Sequence, residues 1–553
     1  MDRPWLNNYP NGVSADIDIH KFNSVIDIFE QSVKAYADRP AFSNFGKSLT
    51  YSDFERATSA LAAYLQQTLK LKKGDRVAIM MPNLLQNPVS IFAVLRAGLT
   101  VVNTNPLYTA RELRHQLKDS GAKAIIVVEN FAHTVETVLA DTDVEHVIVT
   151  KMGDMLDFPK SMLINLVVKY VKKMVPSYTF ATATSFKTAL SEGSQLKFEN
   201  TPLTHEDIAF LQYTGGTTGV AKGAVLTHKN MVANMLQASE WIKNDVLPGK
   251  EVIITALPLY HIFSLTANCL VFMDAGAHNI LITNPRDFKG FVNELKNTHF
   301  TVITGVNTLF NALLNTEGFA DIDFSALKLT LGGGMSVQPA VAAQWKQMTH
   351  CTLIEAYGLT ETSPAVCINP LNLKDYNGSI GLPISSTYCQ LIDLDGNTVT
   401  DGEPGELCVK GPQVMKGYWN RPEETANAFT KDGWLKTGDV AKMDGNGFFY
   451  IVDRIKDMIL VSGFNVYPNE IESVIVEHKG VLECGVIGVP DEKHGEAVKA
   501  FVVKKDDTLT EDELLNFCKE RLTGYKIPDH IVFIKELPKT NVGKVLRREL
   551  RSL

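Results

Sequence analysis

Short runs of Val and Ile recur along the first two-thirds of the chain, each set between helical patterns. This alternation constrains the fold more than any other feature. Val77-Ala78-Ile79-Met80-Met81, ended by Pro82, is too apolar to lie on a surface, and so are Ala124 to Val128 and His146 to Val149. Strands read this way when helices cover both faces of a parallel sheet. The helical partners are Val25 to Tyr36, an amphipathic stretch from Tyr51 to Leu69, and Pro88 to Ala97, after which Val101-Val102 is extended again. The rhythm returns with Val252 to Thr255, Ile280-Leu281-Ile282 and Thr301-Val302-Ile303. The fold class that follows is α/β, built from layered units with mainly parallel sheets.

From Ser379 to Ile451 the texture changes. Cys389 to Ile392 and Leu407 to Lys410 are short β-like pieces among the turns Asp395-Gly396, Pro404-Gly405 and Asp444-Gly445, which predicts a small β-barrel-like subdomain. The last hundred or so residues regain an α/β pattern and suit a compact separate domain. There, Thr510 with Glu513 three residues on predicts a capped helix start. A length of 553 residues allows several such units.

The net charge of −8 argues against a general nucleic-acid binder, which needs a basic face. Seven scattered cysteines without C-x-x-C spacing argue against a disulfide framework and for a reducing, cytoplasmic setting. The start Met1-Asp2-Arg3-Pro4-Trp5 lacks the pattern of a signal peptide, and no apolar run is long enough to span a bilayer. One segment, residues 162–175, is predicted to be helical and leaves two readings open. Leu163, Leu166, Val167, Tyr170, Val171, Met174 and Val175 share a face, with Lys169, Lys172 and Lys173 towards the other. Such a helix either packs on its own domain or docks peripherally on an anionic membrane, here the inner face of the cell membrane.

The strongest local feature is Tyr213-Thr214-Gly215-Gly216-Thr217-Thr218-Gly219-Val220-Ala221-Lys222-Gly223. Its glycines let successive backbone N–H groups turn towards one anion, its threonines add hydroxyls, and Lys222 adds positive charge. The loop suits a polyphosphate, yet it is not a Walker A loop, because Lys222 precedes Gly223.

This loop resembles the phosphate-binding signature of the adenylate-forming superfamily, which includes acyl-CoA synthetases, peptide-synthetase adenylation domains and beetle luciferases. Four further matches follow in order. Tyr357-Gly358-Leu359-Thr360-Glu361 resembles the adenine- and magnesium-contacting segment. Thr437-Gly438-Asp439 resembles the ribose-binding turn, Asp453-Arg454-Ile455-Lys456-Asp457 the interdomain hinge, and Pro538 to Lys544 the catalytic-lysine loop. The resemblance implies a large domain over 1–452, subdivided at roughly 1–200, 201–378 and 379–452, a hinge at 453–456 and a mobile C-terminal domain over 457–553.

The residues suit the implied roles. Asp439 after a Thr-Gly turn can accept ribose hydroxyls. Glu361 and the Thr214 hydroxyl offer hard oxygens to Mg2+, the implied cofactor. Tyr357 offers a flat face to adenine. Lys544 supplies a cation where adenylation develops charge. By resemblance the nucleotide site also takes in Gly333, Glu355, Ala356 and Arg454. Leu257-Pro258-Leu259-Tyr260-His261 resembles the acyl-pocket stretch, with Gly305 and Gly332 beside it. Gly463, Phe464 and Lys456 border the implied CoA passage. Catalytic roles fall to Lys544, His261 and Glu361. One departure is Ala221, where many members carry proline.

The stretch from Asp432 to Lys456, with Asn103-Thr104-Asn105-Pro106, resembles bacterial long-chain fatty acid–CoA ligases. The activity implied is ATP-dependent conversion of long-chain fatty acids to acyl-CoA through an acyl-adenylate, with ATP and CoA as co-substrates and AMP and pyrophosphate released. An aryl- or medium-chain acid–CoA ligase and a luciferase-like oxidative enzyme stay open as alternatives, and so does a homodimer.

Overall fold

The computed structural model describes residues 3–214, 221–393, 395–399, 402–462, 464–491, 493–540 and 545–553. Among these residues the chain forms four sheets. The runs read as buried strands are strands. Arg76–Met80, Ala124–Val128 and His146–Thr150 pair in parallel, and every residue of Ala124–Val128 is buried. They belong to a seven-stranded sheet that continues through Thr100–Asn103 to Ile208–Thr214 and ends on Lys222–Thr227. A nine-stranded sheet holds Val252–Thr255, His278–Leu281, Val302–Gly305, Leu329–Gly333 and Leu353–Gly358, all parallel.

The helices begin where the chemistry of their first turns dictates. Ser24 and Asp27 form a reciprocal capping box at Val25–Tyr36, and Thr50 and Asp53 do the same at Tyr51–Ala63, which runs on into a π-turn over Tyr64–Thr68. Thr510 accepts the Glu513 N–H at the start of Glu511–Lys519.

Sheet membership does not follow the expected division at residue 200. Pro40–Asn44 pairs with His278–Leu281 in the nine-stranded sheet, and Thr100–Asn103 pairs with Ile208–Thr214 in the other. Periodicity marks a strand but not its neighbour, so crossovers of this kind leave no trace in local pattern.

The turn-rich region forms a four-stranded antiparallel sheet of Tyr388–Ile392, Gly405–Lys410, Leu435–Met443 and Phe449–Arg454. Beyond it a five-stranded sheet centred on Gly495–Lys504 has its own core, including Ile459, Ile471, Val486, Val498 and Leu514.

The 162–175 segment differs from its expected span. An α-helix over Lys160–Leu166 passes into a π-turn, Val167–Val171, and Lys173 then takes a left-handed φ of 51° that ends it. Most side chains of its expected apolar face do not pack inward. Leu163, Tyr170 and Val171 are 60%, 65% and 73% exposed, and Met162, Leu166 and Met174 are exposed with them; Ser161 and Val168 are the buried residues. No helix among the described residues is long and apolar enough to cross a membrane.

Candidate active site

The glycine- and threonine-rich loop joins two strands that pair directly. In the antiparallel ladder Tyr213 faces Gly223 and Thr214 faces Lys222, so both flanks of the loop are held in register. Gly215, Gly216, Thr217, Thr218 and Gly219 lie outside the described residues. Gly223 packs closely here, and a Cβ would stand 3.1 Å from the Tyr213 ring, so any larger residue would press that ring aside. The Tyr213 hydroxyl donates to Asp119 Oδ2 at 2.7 Å, and Arg421 pairs with Asp119 Oδ1 at 2.7 Å. Asp119 thereby ties the strand entering the loop to the segment after residue 418.

A second group gathers at the C-terminal ends of the parallel strands, where open α/β sheets offer their binding crevices. Gly332 pairs with Glu355 and Gly333 with Ala356, while Gly305 pairs with Gly332. Gly358 is needed because a Cβ would collide with Pro364 O, only 1.9 Å away. Tyr357, expected to offer its ring face, also donates its hydroxyl to Asp439 Oδ2 at 2.6 Å. Arg454 Nε lies 3.0 Å from Asp439 Oδ1, across adjacent strands. Tyr357 and Arg454, from two other motifs, thus meet on the buried Asp439 carboxylate. Burial and the Asp439 charge push the Tyr357 phenol well up, which keeps it a proton donor. Glu355 is buried and pushed up to about 7 by desolvation, partly offset by the Tyr376 hydroxyl donating to its Oε2 at 2.6 Å.

Thr360 and Glu361 lie on a 3-10 turn, Thr360–Thr362, that packs against both strands flanking the loop. Glu361 Oε1 accepts from the Tyr418 hydroxyl at 2.7 Å, and Glu361 O accepts from the Met415 N–H at 2.8 Å. Among the described residues no cluster of three His, Cys, Asp or Glu side chains forms a metal cage. Mg2+ is commonly held by one or two protein oxygens plus substrate phosphates and water, so a single carboxylate with the nearby strand-end hydroxyl of Thr214 fits that ion by donor chemistry.

His261 follows a segment that Asn83 clamps. Asn83 Nδ2 donates to Thr255 O and Leu257 O at 3.0 and 2.9 Å, and its Oδ1 accepts the Leu259 N–H at 2.9 Å. The Phe263 N–H donates to His261 Nδ1 at 3.3 Å, which in the neutral ring leaves the proton on Nε2. The π-helix Ser264–Val271 follows, a form often found beside functional sites. Phe263 lies against Gly333, where a Cβ would stand 3.2 Å from its ring. The space beside Gly305 is filled by the Phe310 ring, and that beside Gly332 by Leu353 and Val337. On those sides the two glycines admit core packing.

Towards the C-terminal sheet, Asp453 is buried. It accepts the N–H groups of Arg454 and of Asn469 in the first turn of Pro468–Val476, both at 2.7 Å, and Arg547 approaches to 3.5 Å. Burial, with Arg454 nearby, pulls the Lys456 ammonium down to about 8. Phe464 is exposed and stacks on Tyr525 with centroids 4.7 Å apart. Gly463 and Lys544 lie outside the described residues; the flanks of the lysine loop meet in a bridge between Lys539 and Val545.

Asp119, Asn83, Tyr418 and Arg547 were not expected from the sequence. Asn83, Asp119 and Tyr418 lie in none of the motifs singled out above, Arg547 sits in the charged run Arg547-Arg548-Glu549 beyond the lysine loop, and each acts by contact across the fold.

The AMP-binding enzyme model matches residues 29–419, and the model of the AMP-binding enzyme C-terminal domain matches 470–544. The long-chain-fatty-acid–CoA ligase of Escherichia coli O157:H7 is 58% identical over 552 residues, covering 100% of this chain and 98% of that protein. ATP-bound MatB from Rhodopseudomonas palustris aligns with a TM-score of 0.82 at 26% identity, over 96% of this chain and 98% of that one. The anthranilate CoA ligase AuaEII in complex with anthranoyl-AMP reaches 0.85 at 24% identity, over 97% and 98%, a likeness that speaks for the fold alone. With both parts of the chain matched and a full-length relative above half identity, the chain belongs to the AMP-binding enzyme family.

Proposed function

We propose that this protein is an ATP-dependent acid–thiol ligase that converts long-chain fatty acids to acyl-CoA through an acyl-adenylate. The carrying observation is the full-length likeness to the long-chain-fatty-acid–CoA ligase of Escherichia coli, over a chain in which Tyr357, Asp439 and Arg454 converge.

In the first step the fatty carboxylate attacks the α-phosphate of ATP, the bond to pyrophosphate breaks, and acyl-adenylate forms. The loop from Tyr213 to Gly223 receives the phosphates, with Lys222 countering their charge. Gly333, Glu355, Ala356, Tyr357, Gly358 and Thr360 border the base, while Asp439 and Arg454 hold the ribose. Mg2+ on Glu361 and Thr214 would neutralise phosphate charge. His261 orients the fatty carboxylate, and Lys544 stabilises charge developing at the α-phosphate.

In the second step the domain over 457–553 turns about Asp453, withdrawing Lys544. The CoA thiol, passing Gly463, Phe464 and Lys456, attacks the acyl carbonyl and AMP leaves. The exposed apolar face over 162–175, with Lys169, Lys172 and Lys173 beside it, supports peripheral contact with an anionic membrane from which the substrate would be drawn.

The test is CoA-dependent AMP release across a series of acids. Activity should rise from octanoate towards palmitate and oleate. A maximum with benzoate or coumarate would replace the substrate class and leave the two-step chemistry standing; no AMP release with any acid would reject the ligase reading.

A further inference from the structure

One side chain touches two of the site's motifs at once. Tyr418 belongs to a segment that runs alongside Lys222–Thr227. The Lys416 N–H donates to Val225 O at 3.1 Å, the Val225 N–H to Gly417 O at 2.9 Å, and the Trp419 N–H to Gly223 O at 2.8 Å. Thr425 Oγ1 accepts the Tyr418 N–H at 2.8 Å. With its backbone held from both sides, the side chain is aimed. Its hydroxyl donates to Glu361 Oε1 at 2.7 Å, and Lys222 Nζ sits over its ring, 4.7 Å from the centroid.

We propose that Tyr418 is a positioning residue for the triphosphate end of the nucleotide, setting Glu361 for the divalent cation and Lys222 for the phosphates together. The proposal rests on the roles given above to Glu361 and Lys222. A carboxylate held through one oxygen keeps its plane fixed, and a partner behind a metal ligand orients it and raises affinity. The aromatic face restrains the Lys222 ammonium without neutralising it, whereas a carboxylate there would compete with phosphate for the charge.

The experiment is calorimetric binding of ATP to the full chain, with Mg2+ and with EDTA, for the wild type, Tyr418→Phe, Tyr418→Leu and Trp419→Phe. Tyr418→Phe should lose roughly tenfold of the Mg2+-dependent gain in affinity, the scale expected for an outer partner of a metal ligand. It should bind ATP in EDTA as the wild type does, because the ring still lies under Lys222. Tyr418→Leu should weaken binding in EDTA as well. Trp419→Phe loses an indole bond to Asp119 O at 3.1 Å but no contact with Glu361, and should change neither value. Melting temperatures confirm that each variant is folded; should Tyr418→Phe unfold, Tyr418→Leu and the control decide.

Wild-type Mg2+ dependence in Tyr418→Phe overturns the proposal, and so does an equal loss in Trp419→Phe. A wild-type chain that gains no ATP affinity from Mg2+ overturns the role of Glu361, and the proposal with it. In that case fatty-acid-dependent AMP release still tests the function separately.

Discussion

At the scale of single residues, the most consequential groups are carboxylates that share partners. Asp439 has one oxygen on Tyr357 and the other beside Arg454, while Glu355 is buried with the Tyr376 hydroxyl as a partner. Glu355 has a measurable signature. Burial penalises its charge and pushes the carboxyl up to about 7 in the folded chain, from an ordinary value of 4.5 in the unfolded one. Between those values the native state binds the extra proton, so stability falls as pH rises and the loss is complete above pH 7. The penalty is about 3 kcal/mol. Glu355→Gln carries no charge, so its Tm relative to the wild type should rise between pH 5 and pH 8. A constant difference across that range would mean that Glu355 is ionised throughout. The motif residues themselves were legible because glycine, threonine, lysine and aspartate at close spacing announce phosphate and ribose chemistry. Tyr418 and Asp119 were not, since Tyr418 stands 57 residues from Glu361 and Asp119 302 residues from Arg421, separations with no local spacing to betray them.

At the scale of elements, the buried strands were readable because a run such as Ala124–Val128 tolerates no solvent, and the helix start at Thr510 was readable because its hydroxyl satisfies an otherwise exposed N–H, that of Glu513. What periodicity does not encode is which side of an amphipathic helix finds a partner. Lys160–Leu166 and the turn after it show this, since Leu163, Tyr170 and Val171 face outward. An exposed apolar strip with lysines beside it suits the headgroup region of an anionic bilayer. Changing Lys169, Lys172 and Lys173 together to glutamate should abolish sedimentation with phosphatidylglycerol vesicles at low salt. Each lysine contributes about 1 kcal/mol near such a surface, so the combined loss is on the order of a hundredfold in binding. Raising the salt should weaken wild-type binding in the same direction. Sedimentation that ignores both changes would assign the strip some other partner.

At the scale of the whole molecule, the proposed chemistry asks one small domain to serve two half-reactions. Asp453 is the penultimate residue of the strand Phe449–Arg454 and yet accepts the Asn469 N–H at the start of the helix Pro468–Val476, with Arg547 beside it. The pivot is thus gripped by the part it would turn. Arg547, three residues beyond Lys544, also bonds Glu472 at 2.9 Å, so the chain that follows the loop is tied to the same cluster as the pivot. If Lys544 acts only while the first arrangement is assembled, Lys544→Ala should cripple acyl-adenylate formation and spare thioester formation from adenylate supplied ready-made. Removing a preorganised cation from developing charge costs on the order of 3 kcal/mol, a hundredfold or more in rate. Gly463→Leu should show the reverse, because its bulk obstructs a thin ligand passing the backbone while the nucleotide site is untouched. Both variants are to be assayed by ATP–pyrophosphate exchange and by CoA transfer to preformed oleoyl-adenylate. Opposite losses follow from a domain that alternates. Loss of the same half-reaction in both variants would require a single arrangement in which Lys544 and the Gly463 passage serve the nucleotide together, and the turn about Asp453 would then have no part in the chemistry.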